Sequence, residues 1–239
     1  MSYNASHLGL IDTIKDEGDR PHVSGLFESD VYGFTIDQAF IGTSAGGADF
    51  MDLKLVTAQG RVFAKKIYFT SGTAKGRKNT YPVKVQGVPT GELKYQPGFV
   101  VINDLVNLVT GHGLDKIQTV DKLVKCWDND AKKEIPMSRP VCVELNGQQV
   151  ALALQENIIM KQVNKDGVWQ DSEETKKEND IVKAFNEAGQ TLVEFNANAE
   201  PSWIDGWLTK NKGKVTDKTG NKAKVSTDGT GVKKVAAWT

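Results

Sequence analysis

From Val31 onward, apolar and polar positions alternate in the short period of a half-buried strand. Tyr32, Phe34 and Ile36 interleave with smaller or polar residues, and Met51, Leu53 and Leu55 interleave with Asp52 and Lys54. Ser44-Ala-Gly-Gly47 separates these two runs, and Gln59-Gly60 separates the second from Arg61–Phe69, so the pattern predicts three strands in a meander. Thr70–Thr80 is too rich in Gly, Lys and Asn for a strand and reads as a polar loop. Pro97-Gly98 then introduces Phe99–Val109, where Val101, Ile102, Leu105, Val106 and Val109 recur at helical spacing until Gly111 and Gly113 end the run. Three more β-like stretches follow near Thr119–Trp127, Arg139–Leu145 and Gln148–Val163. Asn146-Gly147 is a hairpin signal between the last two.

Farther along, the period lengthens. Asp171 and Glu174 have capping-box spacing ahead of a helix predicted to run through Ala188, with Ile181, Ala184, Phe185 and Ala188 on one face and Gly189 as its stop. Thr191–Phe195 reads as a short strand. Pro201 opens a last helix, on which Trp203/Trp207 and Ile204/Leu208 form an apolar stripe suited to docking on the domain. The predicted division is a polar arm at 1–30, one domain at 31–209 and a tail at 210–239. That tail has eight lysines against two aspartates and almost nothing apolar before Trp238, so it reads as flexible. The expected class is α+β: an antiparallel barrel like the oligonucleotide/oligosaccharide-binding (OB) barrel, with one inserted helix and two C-terminal helices.

Composition narrows the function classes. With 39% hydrophobic and 25% charged residues, the chain is of the ordinary globular kind. The formal net charge is zero, so attraction to a polyanion must come from a local patch. Cys126 and Cys142 form neither a disulfide framework nor a zinc-type cluster. No apolar run approaches the ~18 residues of a membrane span, and the start lacks a basic region followed by an apolar core, so a cytosolic protein is expected.

Catalytic signals are weak. Gly42-Thr-Ser44-Ala-Gly46 matches the nucleophile-elbow pattern, but a strand is predicted after it where the elbow needs a helix. Neither Gly42–Gly47 nor Gly72–Gly76 ends in Gly-Lys-Ser/Thr ahead of a helix. His7, His22 and His112 are scattered, and no metal-ligand spacing occurs. The expectation is no enzyme, no metal and no cofactor.

One region does carry chemistry. Between Asp52 and Glu92 there is no acidic residue, and the gap holds Lys54, Arg61, Lys65, Lys66, Lys75, Arg77, Lys78 and Lys84. Aromatic residues interleave with these cations, as single-stranded nucleic acid requires: charge for phosphates and flat rings for unstacked bases. Strand alternation puts Phe63, Ile67 and Phe69 on the core face, leaving Tyr68 and Tyr81 as the stacking candidates. Lys75, Arg77 and Lys78 read either as a solvated loop or as phosphate contacts, and the absence of nearby acids in sequence favours the latter. Trp127 and Trp169, near the ends of later strands, are secondary candidates.

Ser44-Ala-Gly-Gly47, Gly60-Arg61 leading into Lys66-Ile-Tyr-Phe-Thr-Ser-Gly72, and Pro97-Gly98 before a helix make the chain resemble bacteriophage single-stranded DNA-binding proteins of podovirus-type replication modules. Lys177-Glu-Asn-Asp-Ile-Val-Lys-Ala-Phe185, Thr191-Leu-Val-Glu194 and Trp207-Leu-Thr-Lys-Asn-Lys-Gly-Lys214 extend the likeness over roughly residues 30–215. The resemblance implies an OB fold that coats single-stranded DNA in phage replication and recombination, in the host bacterial cytoplasm, with Lys65, Lys66, Tyr68, Lys75, Arg77, Lys78 and Tyr81 at the groove positions. It also implies replisome partners, and a homodimer would lengthen the track of a single barrel. Proteins of this kind often end in an acidic tail, whereas this chain ends in a basic one. The expected function is therefore sequence-independent single-stranded DNA binding. The alternative is a structural or host-directed interaction module that uses the sheet and the basic tail.

Overall fold

The computed structural model describes residues 25–128, 131–165 and 168–220. The order is β1 (Asp30–Thr43), β2 (Asp49–Val56), β3 (Val62–Tyr68), β4 (Thr80–Val85), β5 (Val88–Tyr95), α1 (Pro97–Thr110), β6 (Val120–Asp128), β7 (Lys133–Val141), β8 (Gln149–Lys165), β9 (Val168–Phe185), α2 (Leu192–Asn196), α3 (Trp203–Asn211) and β10 (Val215–Asp217). The class is α+β and dominated by antiparallel sheet. β4 and β5 form a separate two-stranded sheet, and the other eight strands form one sheet built around β1.

β1, β2 and β3 pair as the predicted meander, with Ala39 opposite Leu53 and Leu53 opposite Lys65. This register lays Ile36, Met51, Leu53, Leu55 and Phe63 on one face, all buried. Helix α1 covers that face with Ile102, Leu105 and Val106, which lie at helical spacing as expected. Complete burial of each such side chain stabilises the fold by ~1.5–3 kcal/mol. Gly98 permits the close approach at the start of this helix, because a Cβ there would sit 2.0 Å from the Tyr68 carbonyl oxygen.

The sheet does not close into the expected barrel. Among the described residues β3 pairs only with β2, and β9 only with β8, so each has an edge without a ladder there. The two edges are joined through Lys65 of β3, which donates to the Asn179 carbonyl oxygen of β9 at 2.7 Å, and Lys183 anchors β9 to α1 through Asp104 at 2.6 Å. Phe27 fills the seam, buried against Phe34 and Phe63, while its backbone N–H donates to Asn179 Oδ1 at 2.8 Å.

Several expectations give way to tertiary context. The helix predicted through Ala188 is the strand β9, which separates from β8 by two residues and pairs with it from Lys165↔Val168 to Ala151↔Phe185. Asp171 and Glu174 do not cap a helix: Asp171 stands opposite Gln162, and Glu174 pairs with Lys161 across the strands at 2.6 Å. A long partner strand supplies ladder hydrogen bonds and burial that outweigh the helical preference of a Lys/Glu-rich segment. Conversely, Thr191–Phe195 is not a strand. Thr191 and Glu194 make a full capping box that starts α2.

Asn146-Gly147 is a jog rather than a hairpin turn. β7 meets β1 at Phe40↔Val141, and β8 then follows the same edge of β1 from Thr35↔Gln149 onward, so the chain steps out and returns without reversing. The β4–β5 hairpin has no counterpart in the sequence reading; its two-residue turn places Gln86 and Gly87 at φ 51° and 86°. Residues 25–29, read as the end of an arm, belong to the core through Phe27. The beginning of the segment read as a tail is also structured: β10 runs parallel to β8 at Glu156–Ile158, and Gly213 donates to the Ser29 carbonyl oxygen at 2.8 Å. Residues 1–24 and 221–239 lie outside the described residues. The apolar stripe of α3 docks as predicted, with Trp203 5.5 Å from the Phe185 ring.

Candidate nucleic-acid interface

The acid-free stretch of sequence is not acid-free in space. β1, β2 and β9 bring carboxylates to four of its eight cations. Lys54 pairs with Asp37 at 2.9 Å, Lys66 lies 3.9 Å from Asp52, and Arg77 pairs with Asp49 at 2.5 Å. Lys65, expected as a phosphate contact, points along the core face of β3 into the seam and pairs with Asp180 at 2.8 Å and Glu178 at 3.6 Å. Arg61 is likewise structural. Its guanidinium donates to the carbonyl oxygens of Gly25 and Leu26 and lies 3.7 Å over the Phe27 ring, clamping that segment against the sheet.

Lys75, Lys78 and Lys84 make no ion pair with the described residues, and all three are exposed. Lys75 and Lys78 belong to the Thr70–Thr80 loop. A short 3₁₀ turn at Thr73–Lys75 and the Thr73 N–H, which donates to the Gly46 carbonyl oxygen at 2.9 Å, hold this loop against the β1–β2 turn. Gly72 makes the contact possible, since a Cβ there would lie 2.6 Å from the Gly46 carbonyl oxygen.

Lys66 and Tyr68 alternate onto the outer face of β3 with Phe50 and Asp52 of β2. Lys66 Nζ lies 4.3 Å over the Phe50 ring, and Tyr68 meets the same ring edge-on at 5.6 Å and is 50% exposed. Burial between the strands pushes the Asp52 carboxyl above its ordinary value, and the charges of Lys66 and Arg139 oppose that shift.

A wide concavity lies on the other side of the loop, between its end and α1. This cleft of about 950 Å³ is lined by Arg77 and Lys78 from the loop, Tyr95 of β5, Phe99 and Asn103 of α1, and Asp115. Tyr95 and Phe99 stack with ring centroids 5.0 Å apart. Neither ring was singled out from the sequence. The signal available was the Tyr95–Phe99 spacing across Pro97-Gly98, which sets a strand-end ring against a ring on the first helical turn.

The remaining candidates are dispersed. Tyr81 stands opposite Lys94, whereas Thr80 and Tyr95, which line the cleft, stand opposite each other one residue away. Tyr81 therefore occupies the reverse face of the hairpin. Trp127 is 60% exposed on β6, but its neighbour Cys126 packs on Phe40, Phe50 and Val141, so the indole is directed away from Tyr68. The Trp169 backbone pairs with Asn164, and its side chain lies outside the described residues.

Among the described residues, no group of three or more His, Cys, Asp or Glu is close enough to hold a metal ion. Among them, too, no helix is long and apolar enough to cross a membrane. No protein-family model matches the chain, and comparison with curated proteins gives no match.

Proposed function

We propose that this chain binds single-stranded DNA without catalysis, as a coating protein of a phage replication or recombination system, using an opened OB-like sheet. The observation that carries this reading is the cleft beside α1, where Lys78, whose ammonium has no ion pair among the described residues, and a Tyr95–Phe99 stack line one concavity. A cation beside a free ring is the minimal unit of sequence-tolerant recognition of unstacked bases, each stacked base contributing ~1–3 kcal/mol. Lys75 and Lys84, and Lys66 with Tyr68 on the outer face of β3, would extend the track to either side.

The test is a fluorescence titration, following the tryptophans, with oligo-dT, duplex DNA and single-stranded RNA of matched length at two salt concentrations. Salt-dependent binding of oligo-dT, weak duplex binding and loss of affinity in Tyr95→Ala and Lys78→Ala support the reading. Absence of oligo-dT binding at low salt ends it.

A protein-interaction role is favoured by a different observation. The free-standing β4–β5 hairpin exposes Val85, Val88 and Leu93 by more than 60% each. That role predicts a stoichiometric protein complex that survives nuclease treatment.

A further inference from the structure

We infer that the cleft beside α1 is a base-selective pocket for guanine within the bound single strand; this rests on the DNA-binding reading above and names what that site prefers. Phe99 and Asn103 are one helical turn apart on α1, about 5–6 Å between Cβ atoms, the scale of a nucleobase. A base laid on the Tyr95–Phe99 stack therefore carries its edge to Asn103, while its phosphate side faces Lys78.

The Asn103 amide at that edge is oriented, and both it and the Asp115 carboxylate have unspent hydrogen-bonding capacity. Asn103 Oδ1 accepts from the Leu114 N–H at 3.0 Å, which orients the amide and leaves Nδ2 without a partner among the described residues. The Asp115 carboxylate makes no hydrogen bond or ion pair with the described residues. Both groups converge on Gly113: a Cβ there would meet Asp115 Oδ1 at 2.5 Å and Asn103 Oδ1 at 3.2 Å. The other carboxylate of the cleft, Asp104, is neutralised by Lys183 at 2.6 Å and is not available to a base.

The wall thus presents an acceptor pair beside a donor. Guanine matches it with two adjacent donors, N1–H and the N2 amino group, for the carboxylate, and with O6 for an amide N–H. Thymine offers one donor between two carbonyl oxygens, and those oxygens would face the carboxylate. A site built to hydrogen-bond one edge rejects an analogue lacking it, because its polar groups are left unpaired.

The experiment compares oligo-dT of about 12 nucleotides, within the span of a single-strand site, with the same oligomer carrying one central dG, dA or dC. The full chain and its Asp115→Asn variant are both titrated. The expected result is binding on the order of tenfold tighter for the dG oligomer, the scale of one good bidentate base contact. The preference for dG over dT, dA and dC should be lost in Asp115→Asn, with an unaltered chemical-denaturation midpoint reporting that the variant is folded. Equal affinity for all four oligomers, or a dG preference that survives in Asp115→Asn, overturns the guanine pocket and leaves the DNA-binding reading standing. No binding of any oligomer overturns that reading itself.

Discussion

The ammonium of Lys65 on β3 lies 2.8 Å from the carboxylate of Asp180 on β9, joining two edges of the sheet that no backbone ladder connects among the described residues. Lys218, just past β10, reaches the same carboxylate at 3.0 Å, and Asn157 Nδ2 donates to it at 2.9 Å. One acidic side chain thus gathers β3, β8, β9 and the segment after β10. Lys65→Ala is expected to destabilise the fold by about 1–2 kcal/mol, below the ~3–5 kcal/mol of a fully buried pair because Asp180 is partly exposed. Chemical denaturation measures this. An unaltered midpoint combined with weaker oligo-dT binding would return Lys65 to the DNA surface.

The unpaired loop and hairpin lysines are expected to behave in the opposite way. Replacing Lys75, Lys78 and Lys84 together should leave the denaturation midpoint within ~0.5 kcal/mol of wild type, as surface substitutions do. The same variant should flatten the salt dependence of oligo-dT binding by about two units, at ~0.7 per single-strand phosphate contact. Titrations at several salt concentrations read the slope directly, and an unchanged slope removes these lysines from the interface.

Glu194 links two helices. Its carboxylate accepts from the Thr191 N–H at 2.9 Å in the capping box and from the Ser202 and Trp203 N–H groups, each at 2.9 Å, at the start of α3. Burial pushes this carboxyl upward, but the hydrogen bonds from Thr191, Ser202 and Trp203 prevail and bring it down to about 2. A folded-state value below the unfolded ~4.3 contributes stability that is present above that pH and lost as pH falls toward 2. Glu194→Gln should therefore be less stable than wild type at neutral pH, and the gap should close on acidification. Denaturation series at several pH values measure the gap.

His112 works with the opposite sign. Its ring faces an acceptor at each nitrogen: the Gly113 carbonyl oxygen 3.3 Å from Nδ1 and Glu144 Oε2 2.7 Å from Nε2. The Gly113 carbonyl first, and then the Glu144 carboxylate, raise its pKa above the ordinary value. Its contribution is full below the unfolded value of ~6.5 and is lost as pH rises through the folded one. An NMR titration of the imidazole protons should give a midpoint above that of His112 in the Glu144→Gln variant.

The two thiols should differ sharply. Cys142 is fully buried, and burial pushes its pKa up to about 12, with the Glu144 charge adding to the shift. Cys126 is only partly buried on β6. Since the thiolate is the reacting species, a maleimide should label one thiol per chain in the native state and both after denaturation. Rapid native labelling of both would contradict the packing around Cys142.

Much of the local structure was legible in the chain. The alternation of Phe34, Ile36, Met51, Leu53 and Leu55 specifies the core face of the meander. The spacing of Ile102, Leu105 and Val106 between Pro97 and Gly111 specifies α1. The box of Thr191 and Glu194 was also present as a pattern, but the apolar Leu192 and Val193 drew the reading toward a strand. In each of these places the deciding interactions span only a few residues, so sequence distance and spatial distance agree.

What only the tertiary structure decided is where the charges end up and which pattern wins when two are available. Lys65 and Arg61 stand in a stretch without acids, yet folding brings Asp180 to the first and the Gly25 and Leu26 carbonyls to the second. The segment from Asp171 to Phe185 could satisfy its backbone as a helix, and the adjacent length of β8 makes it a strand. The sequence by itself determined an α+β domain with a basic loop at Thr70–Thr80 that follows the aromatic-bearing strand β3. The cleft that joins Lys78 to Tyr95, Phe99 and Asp115 exists only because the chain folds α1 back across that loop. Coulomb and packing energies fall off with distance through space, and distance along the chain does not report it.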